Sequence, residues 1–230
     1  MEYDEILSKL RVLSDEKFRV FNERIVNVES GKSIGVRIPQ LRKLAKQLVC
    51  AEGFSFEKIF AYPNEYFEIR VLKCLCAGYA RLTYKERVEM IKRCIPVIDG
   101  WAVCDVLCST LKPIKKYRDE YLEEIRGFIL QGTEFSQRFA YVMLLSVYMD
   151  ESYLDEIFSL LDIARTEYYY TLMGAAWLLA EVLVKFYPRG LEYLQTGKLS
   201  ENAKRKAIQK ACESYRLDVE QKKYLKSLKN

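Results

Sequence analysis

Apolar residues recur at spacings of three and four along nearly the whole chain, and the strict alternation of a half-buried strand is almost absent. The pattern predicts helices over roughly 4–13, 15–26, 38–50, 65–80, 84–97, 101–112, 117–131, 134–149, 152–163, 167–187, 189–196, 201–215 and 218–228. Between them, "ESGKS", "YPNE", "IDG", "KPIKK", "QGTE" and "YPRG" carry the Gly, Pro, Asn and Asp that stop one helix and turn the chain into the next. No uncharged apolar run reaches the about 18 residues that a membrane span requires. The start, "MEYDEILSKL", lacks the basic-then-apolar order of a signal peptide.

A weak period lies over this pattern. The segments "EYFEIRVLKCLCAGYA", "GWAVCDVLCSTLKP", "EFSQRFAYVMLLSVYM", "EYYYTLMGAAWLLAEVL" and "ENAKRKAIQKACESY" align as first helices of successive pairs, each followed by a second amphipathic helix. The expected fold is therefore all-α, an α-solenoid of stacked two-helix repeats, with a helical bundle as the structural alternative. One domain over residues 1–230 is expected. It would hold N-terminal helices in 1–50, repeats that carry a cleft in 65–196, and basic helices in 197–230. Arg70, Asp105, Arg138 and Arg205 fall at matching places in four repeat helices, and equivalent positions of a solenoid line one concave face.

Charge changes the picture from scaffold to binder. The net charge of +5 is uneven: residues 198–230 hold ten basic and four acidic side chains, including Lys204, Arg205 and Lys206, which leaves the rest near neutral. A second basic run, Lys32, Arg37, Arg42, Lys43 and Lys46, contains no acid. Basic segments on a near-neutral body fit a polyanion, and a row with arginines at equivalent positions fits a phosphate backbone.

Composition narrows the chemistry. The 230 residues include no histidine, so Ser-His-Asp and Cys-His arrangements are excluded and acid–base work falls to Asp, Glu, Lys or Tyr. None of the ten glycines forms a phosphate-cradling loop. The seven cysteines form no C-x-x-C pair and lie mostly among apolar residues, so they read as core thiols in a reducing cytoplasm, with no metal site and no cofactor expected. Within "DGWAVCDVLCSTLKP", Trp101 and Asp105 stand four residues apart on one helix face.

Taken together, "GWAVCD", "SQRFA", "GAAWLLAE" and "GVRIPQLRKLAKQL" resemble the DNA alkylation repair enzyme family, the AlkD-like DNA glycosylases built of HEAT-like repeats, over about residues 35–215. The resemblance implies excision of cationic N3- and N7-alkylated purines by hydrolysis of the N-glycosidic bond, without the deep base flipping of most glycosylases. Position by position, it implies that Trp101 and Trp177 flank the sugar and phosphate of the lesion, that Asp105 is the catalytic carboxylate, and that Arg138 holds the backbone. Arg70, Arg205, Lys204, Lys206, Arg37, Arg42 and Lys43 complete the expected DNA contacts of a monomer acting on duplex, alkylated or distorted DNA.

One stretch departs from the pattern. Catalytic members supply a tyrosine from a helix just before "GVRIP", where this chain reads "FRVFNERIVNVESGKSIGVRIP" and offers Phe18 and Phe21. Two further readings therefore stay open: a non-catalytic repeat protein that binds branched or distorted DNA, and a protein-binding scaffold.

Overall fold

The segment "TYKE" closes a capping box. Thr83 accepts the N–H of Glu86 at 3.4 Å while the Glu86 carboxylate takes the N–H of Thr83 at 2.8 Å, which satisfies donors that a helix start leaves orphaned. Ser55, Thr133 and Ser200 each accept one N–H at the start of other helices, and Asp218 forms a second capping box with Gln221. In the computed structural model, which describes residues 1–26 and 28–228, these signals delimit fourteen α-helices and no strand among the described residues. Asn27, at the start of the expected "NVESGKS" loop, and the last two residues of the basic C-terminal segment lie outside the described residues.

The chain gathers into two compact units. The first, Met1–Pro113, holds α1 (Tyr3–Val12), α2 (Glu16–Val26), α3 (Ile38–Cys50), α4 (Phe56–Ala61), α5 (Phe67–Tyr79), α6 (Tyr84–Cys94) and α7 (Trp101–Thr110). The second, Ile114–Asn230, holds α8 (Arg118–Gln131), α9 (Glu134–Val147), α10 (Leu154–Asp162), α11 (Tyr169–Lys185), α12 (Tyr187–Thr196), α13 (Glu201–Glu213) and α14 (Val219–Ser227).

The predicted repeat is visible in each unit. In the first, α3 packs on α5 and α5 on α7, with α6 against α5. In the second, α9 packs on α11 and α11 on α13, with α8 against α9, α12 against α11 and α14 against α13. Helices α3, α5 and α7 thus form an inner stack in the first unit, and α9, α11 and α13 form one in the second. The fold is all-α and helical-repeat, as the periodicity predicts.

Helix α5 is buried on nearly every side, which is why its sequence is barely amphipathic. All residues of α5 from Phe67 to Gly78 are buried, three charged ones included. Each charge has dedicated partners. Glu68 accepts from Ser33 Oγ and from the N–H groups of Ile34, Gly35 and Val36, at 2.8–3.2 Å. Lys73 Nζ donates to the carbonyls of Phe60 and Tyr62 and to Asn64 Oδ1. Burial holds its pKa below the ordinary lysine value. Close stacking needs small residues: a Cβ on Gly78 would lie 2.2 Å from Thr110 Cγ2, so α5 meets α7 at that distance only with glycine.

Helix α4 escapes the periodicity because six residues give too little length for an apolar stripe to repeat. Its signals are local, the Ser55 cap and a single buried residue, Ile59.

Candidate nucleic-acid interface

Helix α7 is apolar and buried along most of its length, with Ala102, Val103, Cys104, Val106, Leu107 and Cys108 in the core of the first unit. Trp101 and Asp105 are only half-buried, and Ser109, one further turn on, is exposed. Spacing of four places these three side chains in one stripe on the surface of α7. Trp101 is the first residue of the helix, after Gly100, and its indole Nε1 donates to the main-chain carbonyl of Ile25 at 3.2 Å. The end of α2 therefore fixes the ring.

Cations lie at the Ser109 end of this stripe. Arg42, on α3, donates to Tyr79 Oη at 2.9 Å, Thr110 Oγ1 at 3.2 Å and Ser109 Oγ at 2.8 Å. Lys46 Nζ stands over the Tyr79 ring, 5.0 Å from its centroid. Tyr79, Ser109 and the role of Lys46 escape sequence reasoning, since only folding brings α3, α5 and α7 side by side. The basic run itself was the available signal. Lys43 is exposed and lines a groove with Lys9, Val12 and Gln47. Arg37 is exposed too, pairs with Asp15 at 2.9 Å and covers the Phe18 ring at 4.5 Å. The N–H of Phe18 and then Arg37 hold the Asp15 carboxyl below its usual value.

Arg70 differs from its expected place on an open face. It is 8% exposed, with Nη2 2.9 Å from Asp99 Oδ2 and Nη1 donating to the carbonyl of Asn64. Both partners sit in turns that bound inner helices, so this guanidinium braces the interior and the approach to α7. Counted from the helix starts, Asp105, Arg138 and Arg205 are the fifth residues of α7, α9 and α13, and Arg70 is the fourth of α5. Similar places in the helix carry unequal burial.

In the second unit, Arg138 is 5% exposed; its guanidinium donates to the Tyr170 carbonyl at 3.5 Å and lies 5.8 Å from the centroid of that ring. Trp177 is half-buried on α11. On α13, Lys204 is 8% exposed and paired with Glu201 at 3.3 Å, whereas Arg205 is exposed and the half-buried Lys206 reaches Gln209 at 3.1 Å.

No group of three or more Asp, Glu or Cys side chains among the described residues is arranged to hold a metal ion. All seven cysteines are free thiols. No helix among the described residues is long and apolar enough to cross a membrane. The DNA alkylation repair enzyme family matches residues 6–214 of the chain. No curated protein and no solved structure matches it.

Proposed function

The chain belongs to the DNA alkylation repair enzyme family, and from that premise we propose that it binds DNA and hydrolyses the N-glycosidic bond of cationic N3- and N7-alkylpurines. The observation that carries this reading is the stripe on α7, where a half-buried carboxylate, Asp105, stands one turn from an indole held in place by α2.

The chemistry suits these side chains. An alkylpurine already bears positive charge and leaves as a neutral base, so the departing group needs no proton. Charge moves onto the sugar as the bond stretches, and a fixed carboxylate stabilises that oxocarbenium-like centre while aligning the attacking water. An indole face attracts a cation by about 0.5–2 kcal/mol, according to desolvation. Trp177, half-buried on α11, takes the aromatic contact the resemblance implies, whereas Arg138, 5% exposed and turned to the Tyr170 carbonyl, has little surface left for the backbone clamp it implies. Arg205, Lys206, Lys43 and Arg37 bind phosphates, and the seven free thiols fit a reducing cytoplasm.

The test is release of 7-methylguanine or 3-methyladenine from alkylated duplex DNA. Wild-type protein releases base above the buffer control, and Asp105→Asn lowers the single-turnover rate at least about a hundredfold. Wild-type release no greater than buffer sinks the excision reading. A second reading, DNA binding without excision, is favoured by α2, which presents Phe21 at 59% exposure where catalytic relatives offer a tyrosine. It predicts salt-sensitive binding with no base released.

A further inference from the structure

The second unit carries an aromatic cluster that the excision chemistry does not use. It forms where the first turns of α9 and α11 are fastened side by side. The Glu134 carboxylate accepts the N–H of Tyr170 at 2.7 Å, and Thr171 Oγ1 donates to the Glu134 carbonyl at 3.1 Å. Across this seam the rings of Phe135 and Tyr170 stack at 5.2 Å with a tilt of 32°. Tyr169 meets Tyr170 at 5.2 Å and 73°. Tyr168, the residue before α11, lies under the Arg165 guanidinium at 4.9 Å.

The support beneath these rings is rigid. Arg165 is tied by its own N–H to Gln137 Oε1 at 2.9 Å, by Nη1 to the Gly132 carbonyl at 3.1 Å and by Nε to Glu167 at 2.8 Å. Gln137 is itself buried and anchored to the Ile129 carbonyl. Yet the outer rings are open: Tyr169 is 65% exposed and Tyr168 36%. Tyr169 meets Tyr170 edge to face and Arg165 covers one face of Tyr168, while both rings keep surface open to another planar group.

We infer that Tyr168 and Tyr169, backed by Tyr170, Phe135 and Arg165, form a stacking platform for an unpaired nucleobase of the bound DNA. Charge favours a base over a phosphate here. The Arg165 cation is matched by Glu167, and the Arg138 guanidinium against the Tyr170 ring has Glu134 in the same seam, so the cluster lacks the net positive field that a phosphate contact uses. What it offers is ring area on a rigid support, the feature that holds bases of single-stranded DNA irrespective of sequence. A fully paired duplex presents no such base. The inference rests on the DNA-binding reading above.

Binding of the full chain to three labelled DNAs of one sequence, measured by fluorescence anisotropy, tests it. The DNAs are a paired duplex, a duplex with one bulged nucleotide, and the single strand. Wild-type protein binds the bulged duplex more tightly than the paired one. Tyr169→Ala weakens bulged and single-stranded binding about tenfold, the loss of one ring under one base, and leaves the paired duplex unchanged. Tyr169→Phe keeps the wild-type pattern. Because Tyr169 is largely exposed, neither change threatens folding. Equal weakening on all three DNAs, or none on any, overturns the platform while base release and duplex binding still judge the function separately. Failure of wild-type protein to bind any of the DNAs overturns the DNA-binding reading and the platform with it.

Discussion

The indole N–H of Trp101 reaches the carbonyl of Ile25, 76 positions earlier, at 3.2 Å, and joins the first residue of α7 to the last turn of α2. A helix end has carbonyls without partners inside the helix, and a side chain that supplies a donor there gains its own orientation in return. Trp101→Phe keeps an aromatic face and loses this tether. We expect about 1 kcal/mol less stability in urea melts. Base release should fall more than in a variant of equal stability altered elsewhere, because the ring is no longer fixed.

Glu68 gives the largest expected loss of stability from a single carboxylate. Its two oxygens satisfy three main-chain N–H groups and the Ser33 hydroxyl, which no other acceptor can replace in the interior. Glu68→Ala should cost about 3–5 kcal/mol in urea denaturation. Glu68→Gln should cost less, since one oxygen remains for Ser33, Gly35 and Val36 while the new amide faces the Ile34 N–H.

Gly78→Ala tests the spacing of α5 and α7 directly. The added methyl would fall 2.2 Å from Thr110 Cγ2, so one helix must move. A cost of roughly 1–3 kcal/mol, read as a lowered midpoint in thermal melts, is expected from overpacking. Thr110→Ser in the same chain removes the clashing methyl and should restore part of it.

Arg205 and Arg70 separate surface from interior among the arginines at similar places in their helices. Arg205→Ala should leave the melting temperature unchanged and reduce the slope of log affinity against log salt by about 0.9, the share of one phosphate contact. Arg70→Ala should lower stability by about 1–3 kcal/mol through loss of the Asp99 pair and of buried stem packing. Its salt slope should match wild type.

Alkali should destabilise the protein in a defined direction. Burial raises the pKa of Cys76 and of Tyr141, and burial with the Asp162 hydrogen bond raises that of Tyr193. The unfolded chain loses these protons from about pH 8.5 for the thiol and about pH 10 for the phenols, whereas the folded chain keeps them. The folded state then binds more protons, so stability is full below those values and falls as pH rises through and beyond them. Urea midpoints measured from pH 8 upward should decline, and Tyr141→Phe should flatten the decline at the cost of the bond to the Leu160 carbonyl.

Most helix limits were legible because caps and turns are local. The expected start at 101 and the observed start at Trp101 coincide, and so do 134 and Glu134, and 201 and Glu201. The stripe of Trp101 and Asp105 was legible for the same reason, as spacing on one helix. Burial of Arg70 was not, because the Asn64 carbonyl and the Asp99 carboxylate that draw it inward come from the turns before α5 and after α6, which only folding brings together. Nor was the company of Arg42, whose three acceptors lie 37 to 68 positions away.

That company gives Arg42 a mechanical part as well as an electrical one. From α3 its guanidinium grips the last residue of α5 and the last two of α7, like a tie-bar across three neighbouring beams. Successive repeats differ by a small rotation, and a bar fastened to all three at one end sets how far they fan apart there. The charge proposed to meet DNA is thus carried by the part that holds the local pitch of the stack, and a lysine in its place would keep the charge and release the pitch.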